Sequence, residues 1–149
     1  MEADNTFGWD DLVKMKSGTI IKLWFESGIY CMIMRGPSSL CAYLGLPTDH
    51  PLSGFNYDDM PIKCHHGLTY SGEGSGKVRP NGYYWYGWDY GHHGDYCFYY
   101  DLLDMYSSDG LTDKKWMVED VKKDMRGTIC DFAQLKRLAE DIDKKAKKS

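Results

Sequence analysis

The sequence predicts an α+β fold: an antiparallel sheet of about five strands with two C-terminal helices packed on one of its faces. Two observations carry that expectation. Runs of six to eight β-branched and aromatic residues alternate with short glycine-containing turns over the first two thirds of the chain. Apolar residues then recur at helical spacing over the last third. A third observation sets the scale, since 149 residues with 42% hydrophobic and 27% charged side chains suit a single domain spanning 1–149. Segments 1–17 and 144–149 are expected to be peripheral to it.

The first dozen residues set Phe7, Trp9, Leu12 and Val13 among acidic neighbours, the pattern of a short amphipathic turn or helix lying on the body. Thr19–Phe25 reads as the first strand, and Glu26-Ser27-Gly28 supplies turn chemistry. Ile29–Met34 and Leu40–Leu46 follow as the second and third strands of a meander, separated by Gly36-Pro37-Ser38-Ser39. Three prolines between Pro47 and Pro61 make that stretch a loop. A strand is expected from Ile62 to Tyr70, then a flexible connection over Gly72–Gly82, then the aromatic strand Tyr83–Asp89 as its hairpin partner. Trp116, Met117, Val121 and Met125 predict a helix that Gly127 stops. Thr128–Asp131 has the form of a capping box for a second helix, with the stripe Phe132, Leu135, Leu138, Ala139 and Ile142. If that stripe is core, Leu138→Ala costs roughly 2–5 kcal/mol.

Charge narrows the function classes. A net charge of −4 argues against general nucleic-acid binding, which needs a clustered basic footprint. The one basic cluster, Lys144, Lys145, Lys147 and Lys148, follows a helix and suits its negative end. Met1–Trp9 contains no basic region leading into an apolar run, so no secretory leader is expected. No run is long enough to span a membrane. Five scattered cysteines without a CxxC pair predict reduced thiols in a cytoplasm rather than disulfides or a zinc knuckle.

The chemistry-bearing residues concentrate between His65 and Asp95. The pairs His65-His66 and His92-His93 flank the glycine-rich connection, and Asp89 and Asp95 bracket the second pair. A hairpin would bring both pairs to one end. Three readings fit His65 and His92. As ligands, His65, Asp89, His92 and Asp95 suit a divalent metal whose bound water attacks a phosphoester or amide. As a pocket needing no cofactor, His65, Thr69, Asp89, His92 and Asp95 offer polar groups beside the stacking faces of Tyr70, Tyr83, Trp85 and Trp88. As a structural device, the same polar groups bond one another and pin two loops. His66 and His93 would face away on an extended strand. A nucleophilic Cys64 or Cys97 is disfavoured, since sequence neighbours on a strand point to opposite sides.

Three stretches resemble the spaced motifs of an uncharacterised family of small phage and prophage proteins. They are CAYLGLPTDHP from Cys41 to Pro51, HHGLTYS from His65 to Ser71 and GWDYGHHGD from Gly87 to Asp95. The family pattern reads C-x-Y-x-x-x-P-x-x-H-P, H-G-G-L-T-Y and G-F-D-x-x-H-x-G-D. Here His66 replaces the first glycine and Trp88 the phenylalanine, leaving His65, Asp89, His92 and Asp95 in place. The resemblance implies a phage accessory protein of the host cytoplasm and carries no established activity. Such proteins often counter host defence, so the leading expectation is a binder of a small, nucleotide-like ligand. A metal-dependent hydrolase is the alternative, and an inhibitor acting on a host defence protein by contact is a third.

Overall fold

The structure is a computed structural model that describes residues 7–103 and 113–148, without the side chains of residues 147 and 148. A short helix α1 (Trp9–Lys14) precedes strands β1 (Ile20–Glu26), β2 (Ile29–Arg35) and β3 (Leu40–Pro47). Then come a 3-10 turn at Tyr57–Asp59, β4 (Tyr70–Glu73), β5 (Tyr83–Asp89), helix α2 (Phe98–Leu102) and helix α3 (Val118–Lys148). The five strands form one antiparallel sheet in the order β1-β2-β3-β5-β4. The predicted α+β class and the meander are therefore observed, and β5 has the limits read from its aromatic run.

Alternation along the strands divides the core in two. Cys31, Ile33, Ala42, Leu44, Tyr86 and Trp88 face the helices, against Val121, Met125, Ile129 and Phe132 of α3. Met32, Met34 and Trp85 face the other way, under Tyr30, Tyr43 and Tyr70. Buried Arg35 ties α1 to the sheet: its guanidinium donates to the carbonyls of Leu12, Val13, Gly36 and Pro37, and lies 4.0 Å over the Phe98 ring.

Three expectations are corrected. Ile62–Thr69 is not a strand, and only Tyr70–Glu73 pairs with β5. A turn at Cys64–Gly67 interrupts the run, and Ile62 and Lys63 lie along α3, where Thr128 Oγ1 donates to the Lys63 carbonyl at 3.1 Å. The C-terminal region is one helix, because Val121, Met125, Ile129, Phe132 and Leu135 keep a single helical phase through Gly127. Trp116 and Met117 precede that helix, while the lysine tail belongs to it through Lys148. Residues 1–6 and Ser149 of the expected peripheral ends lie outside the described residues.

Leu138 and Ile142, placed in the core by their spacing, are 55% and 59% exposed. The physical reason is length. A 31-residue helix runs about 46 Å, whereas strands of seven or eight residues run about 23–27 Å, so the helix outruns the sheet.

Gly127 offers a direct test of the unbroken helix. A Cβ there meets nothing within 4 Å, and its φ is not positive. Gly127→Ala is expected to raise stability by about 0.5–1 kcal/mol in urea unfolding. A loss of stability would contradict helical backbone at this residue.

His50 is the one histidine inside the core, edge-on to Phe132 and accepting the Leu52 N–H at Nδ1. Its place in the proline-rich loop predicts a turn, which is observed: its N–H bonds the Pro47 carbonyl at 2.9 Å, and the turn folds the ring inward. Burial, helped by Lys136 and opposed by Asp49 and Glu140, lowers its pKa below the ordinary value. The fold holds the ring neutral, while the unfolded chain protonates it as pH falls through about 6.5. That stability is complete above this range and is lost below it, until the folded ring itself titrates. The melting temperature of the wild type should therefore drop further than that of His50→Gln between about pH 7.5 and about pH 5.5. Equal drops would remove His50 from the acid response.

Candidate metal centre

Two turns at one end of the sheet build the site. In the first, Gly67 N–H bonds the Cys64 carbonyl at 3.0 Å, and His66 takes a left-handed φ of 56°. Few non-glycine residues adopt that conformation, histidine more readily than most. It brings the His66 ring beside His65, with centroids 4.6 Å apart. In the second, Asp95 N–H bonds the His92 carbonyl at 2.9 Å across Gly94, whose φ of 92° suits the third position of a type II turn. The His92 ring then stacks on His66 at 4.6 Å.

Asp95 is the hub. It is 4% exposed and accepts from three directions. Its Oδ2 lies 2.7 Å from His65 Nε2 and 3.0 Å from the His92 N–H, and its Oδ1 accepts from Trp116 Nε1 at 2.8 Å. The His65 ring is clamped between stacked Tyr90, at 4.7 Å, and the edge of Trp116, at 4.8 Å. Tyr90 is fixed in turn by Trp88 Nε1 and by donating to Asp124 at 2.7 Å. Burial and that bond raise its pKa, so the phenol stays protonated. Outside this layer, His92 Nε2 contacts Asp89 Oδ1 at 2.6 Å.

His65, His66 and Asp95 each offer a ligand atom, all within 4.8 Å of one another, and they form a possible metal-holding group among the described residues. Two ligands about 2.1 Å from a tetrahedral ion stand about 3.4 Å apart. Closing on an ion thus asks for a rotation of exposed His66 and for His65 Nε2 and Asp95 Oδ2 to part from 2.7 Å to about 3.4 Å. No family model, curated protein or solved structure matches the chain.

The structure brings together His65, Asp89, His92 and Asp95, as the sequence led one to expect, and adds His66, Tyr90 and Trp116. It separates the rest. Trp85 and Tyr70 lie on the far face of the sheet, where Trp85 is buried under the β4–β5 connection and donates to the Pro80 carbonyl. Tyr70 holds Arg79, which also lies over Tyr43. Thr69 is exposed and joins the sheet by its N–H to the Gly87 carbonyl. Beside the histidines, a cavity of about 460 Å³ opens between the 63–65 segment and α3, lined by Lys63, Cys64, His65, Asp124, Thr128 and Asp131. Burial, with Asp124 nearby, pushes the Cys64 thiol up to about 12, and burial also raises Cys97. Both thiols are poor nucleophiles in that state. Among the described residues no helix is long and apolar enough to cross a membrane.

Proposed function

We propose that the protein binds one divalent transition-metal ion through His65, His66 and Asp95, and that the ion anchors a small ligand reaching into the adjacent cavity. The convergence of two histidines with one buried carboxylate carries this reading. Two imidazoles and a carboxylate that leave positions open are the donor set of non-haem iron(II) and catalytic zinc sites. Trp116 Nε1 and the His92 N–H donate to Asp95, the outer hydrogen bonds that orient a metal ligand. A nucleotide-like ligand fits the chemistry, with phosphate on the ion and Lys63, and hydroxyls on Asp131. The motif resemblance supports a phage accessory protein that counters host defence in this way.

A second reading, hydrolysis of the same ligand, rests on the position the three protein ligands leave open. An ion held by His65, His66 and Asp95 would supply the Lewis acid that such hydrolysis needs.

Elemental analysis of purified protein should find one zinc, iron or manganese per chain, and chelation should lower the melting temperature. A nucleotide at a hundredfold excess over its Kd adds about 2.7 kcal/mol, or about 5–11 °C for a domain this size. That gain should require metal and disappear in His65→Ala. Metal-free protein of unchanged stability that gains nothing on adding zinc or iron(II) would sink the proposal. Conversion of the nucleotide would separate the hydrolase from the binder.

A further inference from the structure

β1 is an outer strand of the sheet and carries exposed Ile20, Leu23 and Phe25, the last 60% exposed. Long apolar edges are usually blunted or covered, because their unpaired backbone groups template another strand. We propose that a second copy of this chain covers it, by antiparallel pairing of β1 with β1 about a two-fold axis at Trp24.

The register follows from the chain itself. Ser27 and Gly28, with φ of 53° and 76°, form a two-residue turn that joins Glu26 to Ile29. Such a turn makes Glu26 and Ile29 a hydrogen-bonded pair. Alternation then directs the N–H and C=O of Leu23 and Phe25 outward, away from β2. Beyond Lys22 the register shifts at a bulge, so these are the outward groups of the regular ladder. Two copies pairing Leu23 with Phe25 exchange four backbone hydrogen bonds.

In that register Lys22 falls opposite Glu26 of the second copy, twice, and Trp24 falls opposite Trp24. Lys22, Trp24 and Glu26 share one face: Lys22 Nζ lies 5.9 Å over the Trp24 ring, and Trp24 Nε1 donates to Glu26 at 3.2 Å. The opposite face pairs Leu23 with Phe25, which already stacks on Tyr30 at 4.2 Å. Charge with charge and apolar with apolar is the self-complementarity a two-fold contact needs. Cross-strand partners of these kinds are individually stabilising.

A single strand edge is a small interface, so the dimer should be reversible. Sedimentation velocity of the full chain, from low to several hundred micromolar, should show a monomer–dimer equilibrium. Glu26→Lys sets lysine against lysine twice and should weaken Kd about tenfold or more. The exchange Lys22→Glu with Glu26→Lys restores opposite charges and should restore the dimer. Leu23→Pro removes an outward donor and no bond to β2, so it should give a folded monomer by circular dichroism. If that variant misfolds, the charge exchange decides. A monomer at every concentration, or a dimer indifferent to Glu26→Lys, would overturn the proposal.

Discussion

Phe132→Ala is expected to lower stability by roughly 3–5 kcal/mol, or roughly 6–20 °C in melting temperature. Its ring is fully buried and stacks on Tyr86 at 5.6 Å, with His50 edge-on at 6.4 Å. Tyr86 is itself anchored by its hydroxyl to the carbonyls of Leu52 and Phe55. Truncation therefore empties the contact that joins α3, β5 and the 50–55 loop. Leu138→Ala, six residues on and exposed, should stay within about ±0.5 kcal/mol. Urea unfolding of the two variants measures the point at which α3 leaves the sheet. Equal effects would contradict the helix placement.

Asp95→Ala is expected to cost roughly 3–5 kcal/mol, the range for a buried, hydrogen-bonded charge whose partners are left unpaired. Three donors from three segments lose their acceptor: His65, the His92 N–H and Trp116 Nε1. Asp89→Ala should cost within about 1 kcal/mol, because its side chain is 42% exposed and meets the part-exposed ring of His92. The Trp116 indole proton, followed by NMR, should exchange faster in Asp95→Ala and not in Asp89→Ala. If the two aspartates proved interchangeable, Asp95 would not be the hub.

Both contrasts touch positions that the sequence left equivalent. The strands were legible because β-branched and aromatic runs bounded by Ser27-Gly28 and Gly36-Pro37 have few other ways to pair. The same period of two separates Trp85 from Trp88, three residues apart and hence on opposite faces, which removes Trp85 from the histidines. The continuous phase across Gly127 was legible too, though a glycine and a capping pattern masked it. His66 was not, because its role depends on a left-handed backbone at a residue that the strand pattern had pointed away. Nor was Trp116, since nothing in its spacing links it to a carboxylate 21 residues earlier.

Calorimetric titration of zinc into chelator-treated protein should give one site per chain, with the His65–Asp95 hydrogen bond giving way to metal. His66→Ala and Asp95→Asn should each weaken binding about a hundredfold or more, since loss of even an outer partner costs 10–100-fold. His93→Ala, exposed one residue from His92, should bind as the wild type does. Titrations of iron(II) and manganese on the same samples cover the other candidate ions. Absence of binding for all three, or binding that survives both His66→Ala and Asp95→Asn, would contradict the account and leave these histidines as the pins of two loops.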